Sequence, residues 1–292
     1  MFDQLRAFHR PATVATALRL LASERRAGGR GAFVAGGTDL VVQGDRSLRY
    51  LVDLTRLPLR YVKRRGGGWA VGATSTMADL EHHAGLRAFA SGIVSEAAGT
   101  AGSPQIRNMG TIGGNLANAS PACDLAPPLL ALDASVVVAG RARRTVPLDR
   151  FFKGVRRTAL DGGLLVEIVI PAPPRAAGRA AWSFQKLGRL QSDIAVVNAA
   201  TGVVVGRDGR CTWARIALGA VAATPLRARR AAAVLVGRAF DAAAIAAAAE
   251  RAAQETRPVS DVRASADYRR EMSRVLVARA LTECLERMGR DR

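Results

Sequence analysis

Apolar and polar positions alternate between helical and strand periods along this chain. Between Pro11 and Arg26, Val14, Ala17, Leu18 and Leu21 fall on one helical face, and Thr13 just ahead has the side chain of an N-cap. Gly28 to Gly31 ends that helix. Ala32 to Ala35 reads as a short strand that delivers Gly36, Gly37 and Thr38 at its C-terminal end. Tyr50–Thr55 (YLVDLT) reads as a buried strand. Trp69–Ala73 reads as another, turning at Gly72 into Thr74, Ser75 and Thr76, which cap a helix starting near Met77. Val94–Ala101 is a small-residue helix, and Ala134–Ala139 and Leu164–Pro171 are strands of β-branched character. The segment from Pro171 to Gly178, rich in Pro, Ala and Gly, reads as a domain linker. Beyond it, Ala181–Leu187, Ile194–Ala199 and Trp213–Leu218 follow an antiparallel strand pattern. From Asp241 the chain turns helical, and Asp267–Met288 is amphipathic, with Tyr268, Met272, Val275, Leu276, Leu281 and Leu285 expected toward a core.

Composition narrows what such a chain can do. With 292 residues, 49% of them apolar, it is long enough for two or three packed units. No apolar run approaches the length of a membrane span, and the Ala-rich stretch from Ala242 to Ala249 is short and weakly hydrophobic. The opening MFDQLRAFHRP lacks the charged-then-apolar order of a signal peptide, so a cytoplasmic location is expected. Three separated cysteines (Cys123, Cys211, Cys284) and three histidines (His9, His82, His83) cannot build a disulfide framework or a cysteine-ligated cluster. No metal site and no His-centred catalytic group is therefore expected, and no residue is assigned a catalytic role. The net charge of +19 comes from 43 basic and 24 acidic residues, but only Lys63, Lys153 and Lys186 are lysines. The arginines are scattered and aromatics make up 5%, so no basic stripe with interleaved aromatics supports nucleic-acid binding.

Two glycine-rich segments carry the chemistry. Val34–Leu40 (VAGGTDL) and the longer Asn108–Asp133, which contains TIGGN at Thr111–Asn115, both offer backbone that a ligand can approach closely. In the first, Thr38 can donate its hydroxyl to a phosphate oxygen, whereas Asp39 reads as a cap or a loop-closing acceptor. In the second, Thr111 and Asn115 flank Gly113 and Gly114, so a side chain at Gly113 is expected to fill space meant for phosphate. Asp124 could accept from a ribose hydroxyl or cap the helix suggested by Ala126–Leu132; spacing leaves both open. Neither segment is GxGxxG and no Walker lysine follows, which disfavours a nicotinamide Rossmann site and a P-loop. An extended dinucleotide clasped from two sides fits better. On its own, Lys186 reads as a solvated strand residue.

Taken together, AGGTDL at 35–40, TIGGN at 111–115, NASPACDLAP at 118–127, LLVEIVIP before the linker and KLGRLQSDIAVVNAA at 186–200 closely resemble the FAD-binding medium subunit of the molybdenum hydroxylases. The resemblance implies an α+β fold. Residues 1–175 would form a two-subdomain FAD-binding α/β unit of the PCMH type, divided at about residue 56, and 179–292 a C-terminal domain of antiparallel sheet plus helices. It further implies FAD contacts from Val34, Ala35, Gly36, Gly37, Thr38, Asp39, Leu40, Ala101, Thr111, Ile112, Gly113, Gly114, Asn115, Asn118, Asp124, Leu165 and Lys186. Molybdopterin and [2Fe-2S] centres would reside in a large and a small partner subunit, in a dimer of heterotrimers serving an external electron acceptor. Two departures stand out. The cysteine-rich insertion of some members is missing, and Leu190 occupies a position where a second basic residue is common. A stand-alone FAD-dependent oxidoreductase is the alternative.

Overall fold

The computed structural model describes residues 4–174 and 178–290. Its first unit runs β1 (Ala7–His9), α1 (Val14–Arg26), β2 (Gly31–Val34), α2 (Leu40–Gln43) and β3 (Tyr50–Asp53), with the strands parallel in the order β1-β3-β2. Thr13 caps α1 by accepting from the Thr16 N–H, as its side chain implied. Gly31 lies under the buried ring of Tyr50, where any Cβ would overlap the aromatic carbons, so this crossing admits only glycine.

A five-stranded antiparallel sheet follows. It combines β4 (Val62–Arg65), β5 (Gly68–Gly72), β6 (Ser135–Ala139), β7 (Arg144–Pro147) and, after α9 (Leu148–Phe151) and the small hairpin β8 (Phe152–Gly154) and β9 (Arg157–Thr158), the central β10 (Leu164–Ile170). Between β5 and β6 the chain packs six short helices on the sheet: α3 (Met77–His82), α4 (Ala84–Arg87), α5 (Ile93–Gly99), α6 (Pro104–Met109), α7 (Ile112–Ala117) and α8 (Ala126–Ala131). Thr76 starts α3 with a capping box, its hydroxyl taking the Asp79 N–H while the Asp79 carboxylate takes the Thr76 N–H.

The last unit is the antiparallel sheet β11 (Gly178–Leu187), β12 (Val197–Gly206), β13 (Cys211–Gly219) and β14 (Leu226–Arg227), covered by α10 (Arg229–Leu235), α11 (Ala242–Glu255) and α12 (Ala266–Arg290). One sheet face packs on these helices through Val203, Ile216, Leu276 and Leu281. The opposite face sends Trp182, Phe184, Ala200 and Ala217 into the core of the preceding unit. The last and middle units therefore share a core rather than meeting across a polar seam.

Two expectations change. Ile194 to Val196 lie outside β12, and Ile194 is 62% exposed, because this stretch belongs to the loop that returns from β11. On α12, Tyr268 and Leu285 face solvent. The buried line instead runs through Arg269, Ser273, Leu276, Val277, Ala280, Leu281, Cys284 and Met288, since two polar side chains are buried on the inward face and rotate the apolar phase. The centre of the expected linker, residues 175–177, lies outside the described residues. Among the described residues no helix is long and apolar enough to cross a membrane, and no group of three or more His, Cys, Asp or Glu is placed to hold a metal ion.

Candidate functional site

A cleft of about 420 Å³ opens where the first unit, the helical segment and the β11–β12 loop meet. One wall is the segment after β2. Gly36 presses against the Met109 carbonyl so closely that a Cβ would overlap its oxygen, and Gly37 takes φ +69°, a conformation that disfavours any side chain. This path leaves the N–H groups of Gly36, Gly37, Thr38, Asp39 and Leu40 without an acceptor among the described residues. Thr38 lines the same wall. Asp39 sits at the N-cap position of α2, yet its side chain makes no capping bond, which corrects the expected cap. Asp39 is exposed as a whole, but partial desolvation of its carboxyl against the cleft wall raises it from its ordinary value, and Arg156 opposes that shift in part.

The facing wall carries the second glycine pair, in a different state. Here the N–H groups are already spent: Ile112 donates to the Ser75 carbonyl, Gly113 to that of Ala73, Asn115 to that of Thr111, and Gly114 to the Thr111 hydroxyl oxygen. Gly113 is buried, and a Cβ there would lie 2.5 Å from the Ala73 oxygen. Its bare Cα serves helix packing, and the space beside it belongs to Ala73, not to a ligand. Ile112 and Leu165 are core residues that do not line the cleft. Ala101, Thr111, Gly114, Asn115 and Asn118 do line it. Asn115 accepts a hydrogen bond from the Cys123 thiol at 2.7 Å and keeps its NH2 free among the described residues. Asn118 accepts from Gln43 Nε2 at 2.9 Å, which ties α7 to α2 across the cleft. Burial pushes the Cys123 thiol up to about 12, so it stays protonated and inert at neutral pH.

Asp124 closes the floor. It does not cap α8, whose N-cap is Leu125. Instead its Oδ2 pairs with Lys186 Nζ at 2.8 Å and its Oδ1 accepts from Asn198 Nδ2 at 2.9 Å, while Lys186 also donates to the Thr100 carbonyl at 2.7 Å. Lys186 is thus neither solvated nor part of the cleft lining; it stands behind Asp124 with 6% of its side chain exposed. Burial raises the Asp124 carboxyl, and Lys186 and then Asn198 counter that shift.

Residues not assigned to the site from the sequence also line the cleft, among them Phe33, Gln43, Met77, Ile106, Ser192 and Ile194. Ser192 and Ile194 lie within the LQSDIAV stretch, which carried the resemblance without being assigned a position over the site. Among the described lining residues there is no lysine or arginine, despite the 43 basic residues of the chain.

Such a wall, with unpaired N–H dipoles and hydroxyls but no cation, suits a diphosphate held by main chain. Comparison with known proteins agrees. A family model described as the FAD binding domain in molybdopterin dehydrogenase matches residues 2–173, and one described as the CO dehydrogenase flavoprotein C-terminal domain matches 182–284. The chain belongs to this family, the FAD-binding medium subunits of the molybdenum hydroxylases. Among the relatives of this medium subunit is the carbon monoxide dehydrogenase medium chain of Hydrogenophaga pseudoflava, 35% identical over 94% of this chain and 95% of its own length. Another is the 6-hydroxypseudooxynicotine dehydrogenase complex subunit alpha of Paenarthrobacter nicotinovorans, 36% identical over 94% of this chain and 93% of its own length. The solved structure of carbon monoxide dehydrogenase from Hydrogenophaga pseudoflava superposes with a TM-score of 0.91 at 35% identity, covering 99% of this chain and 100% of the matched one. Quinoline 2-oxidoreductase from Pseudomonas putida 86 does so with a TM-score of 0.88 at 29% identity, covering 98% of each chain. The cofactor of this medium subunit is FAD, and the residues present fit it: the 36–40 main chain, Thr38, Thr111 and Asn115 offer donors for the diphosphate, and Asp124 an acceptor for a sugar hydroxyl.

Proposed function

We propose that this chain is the FAD-carrying electron-transfer subunit of a molybdenum-containing hydroxylase, receiving electrons from a small [2Fe-2S] partner subunit and passing them to an external acceptor such as NAD, a quinone or oxygen. A large molybdenum subunit would oxidise the substrate, and the three chains would assemble as a dimer of heterotrimers. The medium chains and complex subunits among its relatives support dependence on partner subunits. Residues 1–175 and 179–292 are proposed as its two domains, the first divided at about residue 56. A cytoplasmic location is part of the same reading.

Bound FAD supplies the redox chemistry, and the protein supplies position and electrostatics. The observation that carries the reading is the run of N–H groups at 36–40 that find no acceptor among the described residues, opposed by Thr111 and Asn115 across a cleft with no lysine or arginine among its described lining. Gly36 holds that run against Met109, and Gly37 turns it. The Gln43–Asn118 bond joins the two walls. The Asp124–Lys186 pair fixes the floor to β11.

Purified chain should take up FAD, and FAD at a hundredfold over its Kd should add about 2.7 kcal/mol of stability. Absence of both uptake and stabilisation would refute the reading. Affinity purification from the native host should recover an iron-sulfur chain and a molybdenum chain; recovery of the FAD-loaded chain alone would favour a stand-alone oxidoreductase.

A further inference from the structure

Asn198 lies on β12 directly opposite Lys186 on β11, so both side chains leave the same face of the sheet. It is fully buried, and its Nδ2 donates to Asp124 Oδ1 at 2.9 Å while Lys186 holds Oδ2. Its own Oδ1 has no partner among the described residues and is wedged beside Gly219, where a Cβ would overlap it. An orphaned buried acceptor costs stability that an apolar side chain of similar shape would not. The position therefore carries that cost together with a single donated bond, and that bond goes to the one member of the cluster that lines the cleft.

A carboxylate rotates readily about its last torsion, and two oxygens offer about four acceptor directions. Lys186 alone would fix one oxygen and leave the plane free to turn. With Asn198 on the other oxygen the plane is set, and the directions not taken by either partner are the ones available to the cleft. We propose that Asn198 is a positioning residue for the cofactor, orienting the Asp124 carboxylate to accept a hydrogen bond from a sugar hydroxyl of FAD. This deepens the FAD reading and rests on it. The other groups around Asp124 are Lys186 from β11, the buried Cys123 thiol next in the chain and, from the first glycine loop, Asp39, which together with Asp124 acts on that thiol.

The test uses the full chain, flavin-free, titrated with FAD at pH 5.5 and pH 8, each variant read as the ratio of its Kd to that of wild type. Asn198→Leu removes the donor, and the ratio should rise about tenfold at both pH values. Asn198→Asp sets two carboxylates together at pH 8 and should bind poorly; at pH 5.5 a shared proton restores a donor to Asp124, and the ratio should fall back toward one. Wild-type affinity in Asn198→Leu, or a loss in Asn198→Asp that is equal at both pH values, would overturn the proposal. If Asn198→Leu does not fold, the pH dependence of Asn198→Asp decides alone. Failure of wild type itself to bind FAD would sink the FAD reading instead, which separates the two.

Discussion

The two glycine pairs look alike in sequence and differ in what the fold does with them. At Gly36-Gly37 the main chain is half-buried, turns through a positive φ and keeps five successive N–H groups free among the described residues. At Gly113-Gly114 the corresponding N–H groups are all taken by Ser75, Ala73 and Thr111, and the first glycine is buried against Ala73. One loop offers dipoles to a ligand, whereas the other closes a helix onto a strand so that Thr111, Gly114 and Asn115 reach the cleft. A glycine pair thus marks close approach of main chain, and only the hydrogen-bond ledger tells whether the approaching body is a ligand or the protein itself.

The second wall is also tied to the C-terminal sheet through Asp124 and Lys186, and among the described residues no salt bridge reaches 36–40. The largest effect is therefore expected there. Lys186→Met leaves the Asp124 carboxylate buried without its counter-ion and should cost about 3–5 kcal/mol in urea unfolding of the flavin-free chain. Adding Asp124→Leu to the same chain should recover most of that loss, because no uncompensated charge remains. A Lys186→Met chain as stable as wild type would mean that the wall stands without the pair.

A direct contrast comes next. Gly113→Ala forces a methyl against the Ala73 carbonyl and should lower the stability of the flavin-free chain by about 1–3 kcal/mol. Gly36→Ala pushes the first loop off Met109; it should weaken FAD binding by about a hundredfold, which is about 2.7 kcal/mol, while moving flavin-free stability less than Gly113→Ala does. Thermal melts without FAD and titrations with it give both readouts. Equal losses of flavin-free stability in the two variants would erase the distinction between the loops.

Much of this arrangement is legible in the sequence itself. Thr13 and Thr76 announce helix starts because capping is a local matter of a hydroxyl and an N–H three residues on. The strands at Tyr50, Trp69 and Leu164 follow from apolar runs that any sheet would bury. What escaped depends on partners distant in the chain. Asp124 spaced ahead of α8 suits a cap, but Lys186 lies 62 positions away and wins it through charge. On α12 the apolar period finds Leu276 and Leu281 but not the rest of the inward line, because Arg269 is buried, donating to the Val196 and Ala220 carbonyls and to Asp261, and no periodicity of apolar residues reveals an inward arginine. That same bond to Val196 anchors the end of the loop carrying Ser192 and Ile194 over the cleft.

The smallest effect concerns Asp39, the one carboxylate on the dipole-bearing loop. Its carboxyl is raised by partial desolvation, with Arg156 as the opposing influence. A folded-state value above the unfolded one means that its contribution to stability is full below the unfolded value and is lost as pH rises through the raised one. The ligand follows the same sign, because a diphosphate is anionic throughout this range and the carboxylate repels it only once ionised. FAD affinity should therefore strengthen as pH falls through the Asp39 titration. Asp39→Asn should flatten that part of the profile and tighten binding at pH 7 by a few-fold, about 0.5–1 kcal/mol for a partly solvated charge. Arg156→Ala should move the inflection to higher pH by removing the opposing cation. An unchanged profile in Asp39→Asn would show that this carboxylate does not face the diphosphate, and the first loop would then differ from the second only in its free N–H groups.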